Sequence, residues 1–263
     1  MPVSSIPQAS DFPAELQPVI QLPLGPAAAA ATPAAATPAL TNVVLFLPGL
    51  GDSSANFANF ARALNLPDTL AITLQPPFPL PFPVGPGSHW ADELLWDQST
   101  GALDFDSPCG KAVDIIVEHV ILNPLIRKLK YQPGEIHLFG YGQGGAVALA
   151  VPLHPALSAF AALGSVISIG GALALSTPLM SSLAPKNRTP VLLLGGSKGV
   201  LASNEQSPVK RTKSFYEYVE YHQWKRADDS TPKTRDEALP MMQFLARRLR
   251  SRRGVPDDAV EIS

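Results

Sequence analysis

An α/β fold built on a mostly parallel sheet is what this 263-residue sequence predicts, and three observations carry the prediction. Its apolar runs are short and near-continuous, as in strands covered on both faces of a parallel sheet. Helix-length amphipathic stretches separate them at βαβ spacing. Two glycine-rich turns each follow directly on an apolar run, "FLPGLGDSS" at 46–54 and "GYGQGG" at 140–145.

The elements follow in order. Residues 1–40 are dense in Pro and Ala. Prolines at that density break helices and strand ladders, so a disordered or loosely docked leader is expected. The folded domain is expected over 41–253 and a short tail over 254–263. Strands are predicted at "NVVLFL" (42–47), "TLAITL" (69–74), "EIHLFG" (135–140), "GSVISI" (164–169), "PVLLLG" (190–195) and "FYEYVEY" (215–221). Helices are predicted at about 54–65, 111–130, 143–152 and 235–251, with Pro124 interrupting or kinking the second. "LQPPFPLPFPVGPG" (74–87) reads as an extended, polyproline-like loop. Its apolar side chains, Phe78 and Phe82 among them, either close over the core or form one wall of an apolar groove near the strand ends.

Composition narrows the class. At 46% hydrophobic residues the chain can bury one large core, and no apolar run is long enough to cross a membrane. The single cysteine, Cys109, excludes an internal disulfide and suits a reducing compartment. The first basic residue is Arg62, so the start lacks the basic segment of a signal peptide or mitochondrial presequence; a cytosolic address is expected. The five histidines are scattered, without metal-ligand spacing, so no metal site is expected. "GYGQGG" lacks the Lys-Ser/Thr of a Walker A loop and the acidic partner of a dinucleotide fold. Neither a cofactor nor nucleic acid is therefore expected. Residues 186–253 hold 15 of the 20 Lys and Arg, ending in Arg247, Arg248, Arg250, Arg252 and Arg253. Such a cluster reads as a solvated face at a helix C-terminus or as a contact for an anionic membrane or acidic partner.

The second glycine turn has the shape of a nucleophile elbow, G-x-S-x-G, in which a sharp strand-to-helix turn lifts a serine above the sheet. Here Gly142 takes the serine's place. In such a fold the loop after an early strand and the residue after the nucleophile supply two oxyanion-hole N–H groups; by position these are Leu50 and Gln143. "LPGLGDSSANF", "FGYGQGGAVALA", "PVLLLGG" and "MMQFLARRL", in that order over roughly 42–250, resemble the phospholipase/carboxylesterase family, which includes the acyl-protein thioesterases. The resemblance implies an α/β-hydrolase fold, a Ser-Asp-His triad and hydrolysis of acyl esters or thioesters, and it places Trp90 at the substrate wall near the acyl site.

The departures bear on that chemistry. The family's HGLGD loop opens here with Pro48, and its GFSQGG elbow has Gly142. Alignment on the acidic strand end, HGxxD, puts Gly199 at the triad aspartate. Counting back from Phe244 puts Thr231 at the histidine. Two readings follow. In one, the fold persists as a pseudoenzyme that binds an acyl group or acylated protein without turnover, because a glycine has no atom with which to attack a carbonyl. In the other, the chain is an active carboxylesterase or acyl-protein thioesterase with a displaced nucleophile. Ser197, in Gly195-Gly196-Ser197-Lys198-Gly199, is the candidate, with His222 as its only downstream base. The stretch after Ser197 is a poor helix start that meets Pro208, so the residues favour the first reading.

Overall fold

The computed structural model describes residues 6–23, 40–82, 84–94, 107–175, 185–202 and 207–251. Nine strands are described: β1 (Val19–Gln21), β2 (Asn42–Leu47), β3 (Thr69–Thr73), β4 (Phe78–Pro79), β5 (Ser88–His89), β6 (Ile136–Tyr141), β7 (Ser165–Ile169), β8 (Val191–Gly195) and β9 (Val219–Gln223). The helices are α1 (Ser54–Leu64), α2 (Gly110–Ile116), α3 (Gln143–Ala150), α4 (Pro208–Phe215) and α5 (Arg235–Arg248). Seven strands form one sheet in the order β1-β3-β2-β6-β7-β8-β9. All neighbours run parallel except β1, which lies antiparallel on β3.

Alternation along β2 shows why the strands are apolar on both sides. Val43, Leu45 and Leu47 enter one core with Ile116, Val120 and Val147. Val44 and Phe46 enter a second with Phe57 of α1 and Met241, Phe244 and Leu245 of α5. Each face of the sheet is therefore covered, the condition under which period-two patterning vanishes from a strand. Phe46, Phe57 and Phe139 pack with ring centroids 5.3–6.3 Å apart.

Four elements differ from the sequence expectation. Of the leader expected to be disordered or loosely docked, residues 6–23 are firmly docked. Phe12 and Leu16 are buried in the first core, the Leu16 carbonyl accepts from the Gln75 N–H at 2.6 Å, and β1 pairs with β3. Apolar side chains at 12, 16 and 20 anchor what the prolines alone would leave loose. The helix expected to be interrupted or kinked at Pro124 instead changes its winding earlier: beyond α2 it widens to π geometry over Val117–Lys128, with Pro124 inside that stretch. The last strand lies at 219–223, not 215–221, because Phe215 closes α4. That helix begins on Pro208, where a missing N–H costs nothing, and Ser207 caps it. Finally, the Pro-rich loop folds into a β4–β5 ribbon, with Leu80 N–H on the Gly87 carbonyl at 2.9 Å.

Candidate functional site

The chain leaves β2 for β3 on one side and returns to β6 on the other, so the strand order reverses between β2 and β6. At such a switch point, the loops leaving the C-terminal ends of the strands enclose a crevice where ligands bind. Residue pair Leu47 and Gly140 ends the shared ladder there, and the two glycine-rich turns leave from it side by side.

Gly142 stands at the apex of the second turn with φ 52° and ψ −119°, a conformation that strains any residue bearing a side chain. Its N–H donates to the Ile169 carbonyl at 2.8 Å, and its carbonyl accepts from the Ala146 N–H at 3.1 Å. A Cβ at this position would meet no atom within 4 Å. The backbone thus makes the elbow and points residue 142 into open space. Gln143 opens α3, so its N–H has no intrahelical acceptor and sits at the positive end of the helix dipole.

The first turn is held by the ribbon. Gly51, next to Leu50, donates its N–H to the Ser88 carbonyl at 2.8 Å. Trp90 ties both turns together: its N–H donates to Gln143 Oε1 at 2.7 Å and its Nε1 to the Pro48 carbonyl at 2.8 Å. Trp90 is completely buried. It is a strut beneath the loops and not a substrate wall, which corrects the expectation for it. Phe78 is half-buried with its ring 5.7 Å from His89, whereas Phe82 is 95% exposed.

The expected acid position holds a substitution that the alignment did not disclose. A Cβ on Gly199 would overlap the carboxylate of Asp229. That carboxylate accepts from the N–H groups of Gly196 at 2.7 Å and Val200 at 3.0 Å. An acidic group therefore fills the space beside Gly199, delivered by the loop where a histidine was sought. The same loop carries Thr231, whose carbonyl accepts from Arg226 at 3.2 Å. Arg226 lies 4.3 Å over Trp224 and pairs with Asp228 at 2.9 Å and Glu237 at 3.3 Å, so the loop is stitched down along its length. Hydrogen bonds from Ser230 hold the Asp228 carboxyl below the usual carboxylate range.

The outlying candidates are placed as follows. Ser197 is exposed, and its hydroxyl bonds to the Arg226 carbonyl at 3.1 Å. Among the described residues the three-residue turn Val200–Ala202 comes next after it, so Ser197 does not itself open a helix as an elbow must. His222 is exposed on β9 opposite Leu194. Burial, with Asp92 nearby, pushes the Cys109 thiol up to about 12, which leaves it protonated and inert. His137 bonds through Nδ1 to the Ser165 hydroxyl at 2.9 Å. Among the described residues no three His, Cys, Asp or Glu side chains cluster to hold a metal. Arg252 and Arg253 lie outside the described residues, as do 254–263.

A parallel sheet covered on both faces, with a strand–elbow–helix at its switch point, defines the α/β-hydrolase fold. Within it, the chain belongs to the Phospholipase/Carboxylesterase family, whose model matches residues 29–246. It is 30% identical over 227 residues to an uncharacterised hydrolase of Schizosaccharomyces pombe, covering 84% of this chain and 89% of that protein. It is 35% identical over 154 residues to an uncharacterised hydrolase of Mycosarcoma maydis, covering 58% of this chain. That match spans 55% of the Mycosarcoma maydis protein's length. Two solved structures share the fold. Acyl-protein thioesterase 2 of Zea mays has a TM-score of 0.63 at 18% identity, covering 88% of this chain and 98% of its own. SOBER1 of Arabidopsis thaliana has 0.60 at 22%, covering 80% and 99%.

Proposed function

We propose that this chain is a non-catalytic member of its family, a pseudoenzyme that holds an acyl ester, acyl thioester or acylated protein without turning it over. One observation carries the reading: Gly142 occupies the apex of an intact elbow. The backbone geometry that aims a nucleophile is present and the nucleophilic atom is not. The oxyanion-type donors expected at Leu50 and Gln143 would still polarise a carbonyl. Without a covalent step they leave at most a residual acceleration of roughly 10³–10⁴ over water. Asp229 beside Gly199 supports the reading further, because its two oxygens are engaged by backbone N–H groups. The loop that carries it presents Thr231 and no imidazole. A cytosolic address fits a chain whose single cysteine can form no internal disulfide.

The test measures hydrolysis of a medium-chain p-nitrophenyl ester and of a palmitoyl thioester, with the same protein exposed to a fluorophosphonate serine probe. The expected result is no turnover above buffer and no label, together with saturable binding of a hexadecyl-thioether peptide that cannot be hydrolysed. Turnover with a labelled serine overturns the reading. A label mapped to Ser197 would put the displaced-nucleophile mechanism in its place.

A further inference from the structure

The N-terminal ends of β6 to β9 lie at the opposite end of the sheet from the elbow. There the surface opens into a cleft of about 870 Å³. Lys130, Arg188, Arg247, Arg248 and Arg250 line it, against the single lining carboxylate of Glu135. Gly134, Gly164 and Pro190, at the starts of β6, β7 and β8, also border it.

Two of the cations hold carboxylates that are themselves open to solvent, Arg247 through both oxygens of Glu220. Arg188 pairs with Glu217 at 3.6 Å and Arg247 with Glu220 at 2.7 Å, and all four side chains are about half exposed or more. Ion pairs so open to water are worth little and exchange readily for a better anion. Arg250 meets Glu135 at 3.3 Å. Arg248 lies 5.6 Å over the Phe244 ring, and its Nε is shut from solvent without an acceptor among the described residues. A closed-off donor of that kind calls for an acceptor, and the described residues supply none. The positive field reaches inward: His137, buried behind Gly164, is pushed down to about 4 by burial and secondarily by Arg250.

We propose that this cleft binds a phosphate-bearing anion, with Arg188, Arg247 and Arg248 as its main donors. Guanidinium forks match phosphate oxygens in pairs, and a recessed site of this volume suits a small ligand better than a flat bilayer. The proposal is independent of what happens at the elbow.

Inorganic pyrophosphate, titrated calorimetrically into the full chain at low salt, is the first probe. Saturable binding is expected, unchanged in Lys198→Gln at the elbow end. It should weaken roughly tenfold or more in the triple variant Arg188→Gln/Arg247→Gln/Arg248→Gln. Absence of saturable binding, or full affinity in a folded triple variant, overturns the proposal. Should the triple variant not fold, hydrogen exchange of the unaltered protein decides. Pyrophosphate must protect 132–135, 161–164 and 247–250, and no local protection overturns the site. Phosphatidylcholine vesicles carrying phosphatidic acid separate the sources of phosphate. Sedimentation that pyrophosphate competes away supports a lipid headgroup as occupant, and pyrophosphate binding alone supports a soluble ester. Vesicle binding without any pyrophosphate binding overturns the cleft in favour of a diffuse membrane contact.

Discussion

At the scale of single residues, Gly142 and the pair Gly199 and Asp229 carry the functional argument. Gly142→Ser places a hydroxyl in open space but at positive φ, so a loss of about 1–2 kcal/mol is expected in urea denaturation. The same variant should show no gain of ester hydrolysis, because a serine there finds no imidazole; near-family rates would refute the assignment of Thr231 to the base position. Asp229→Ala should cost about 2–3 kcal/mol through two charge-assisted hydrogen bonds. Gly199→Ala should cost a comparable amount by driving a methyl into that carboxylate. In the double variant the overlap is gone, so the total should approach that of Asp229→Ala alone; simple additivity in the denaturation cycle would show that the two do not share one space. The elbow was legible in the sequence, since a strand, a glycine turn and small residues state it locally. Asp229 was not, because its meeting with Gly199 spans thirty positions and depends on how a loop folds back.

Among the elements, the parallel core was legible because Val43 to Leu47 and Val191 to Leu194 are apolar at successive positions, and β6 and β7 are interrupted only by His137, Ser165 and Ser168, which are buried as well. Where the signal is weaker, the reading slips. The α4 sequence "PVKRTKSF" buries only Thr212 and Phe215, which is too little to announce a helix, and its last residues borrow the look of the following strand. Likewise β1 has three half-buried residues set among prolines. Its docking is nevertheless expected to matter. Leu16→Ala should cost about 2–4 kcal/mol, because that side chain is wholly buried in the first core. Limited proteolysis should then cut within 6–23 before any other described segment; unchanged cleavage kinetics would mean that the segment contributes no cohesion.

For the molecule as a whole, acid should loosen the fold earlier than its carboxylates alone would dictate. His137 is held down near 4 in the folded chain, chiefly by burial, against about 6.5 in the unfolded one. As pH falls below about 6.5 the unfolded chain takes up a proton that the folded chain refuses, so stability drops until about pH 4. The full loss is on the order of 3 kcal/mol. Urea midpoints between pH 7 and 4.5 should fall for the unaltered protein and fall less for His137→Gln; parallel slopes would remove this residue from the acid response. The docked leader also governs how one molecule meets another. With β1 in place, the outer rim beside β3 is three residues long and flanked by Pro18 and Pro23. A neighbouring chain finds few backbone groups there with which to extend the sheet. Cut away, the leader would bare the five-residue β3, and the same protein would acquire an adhesive margin along which copies could join edge to edge.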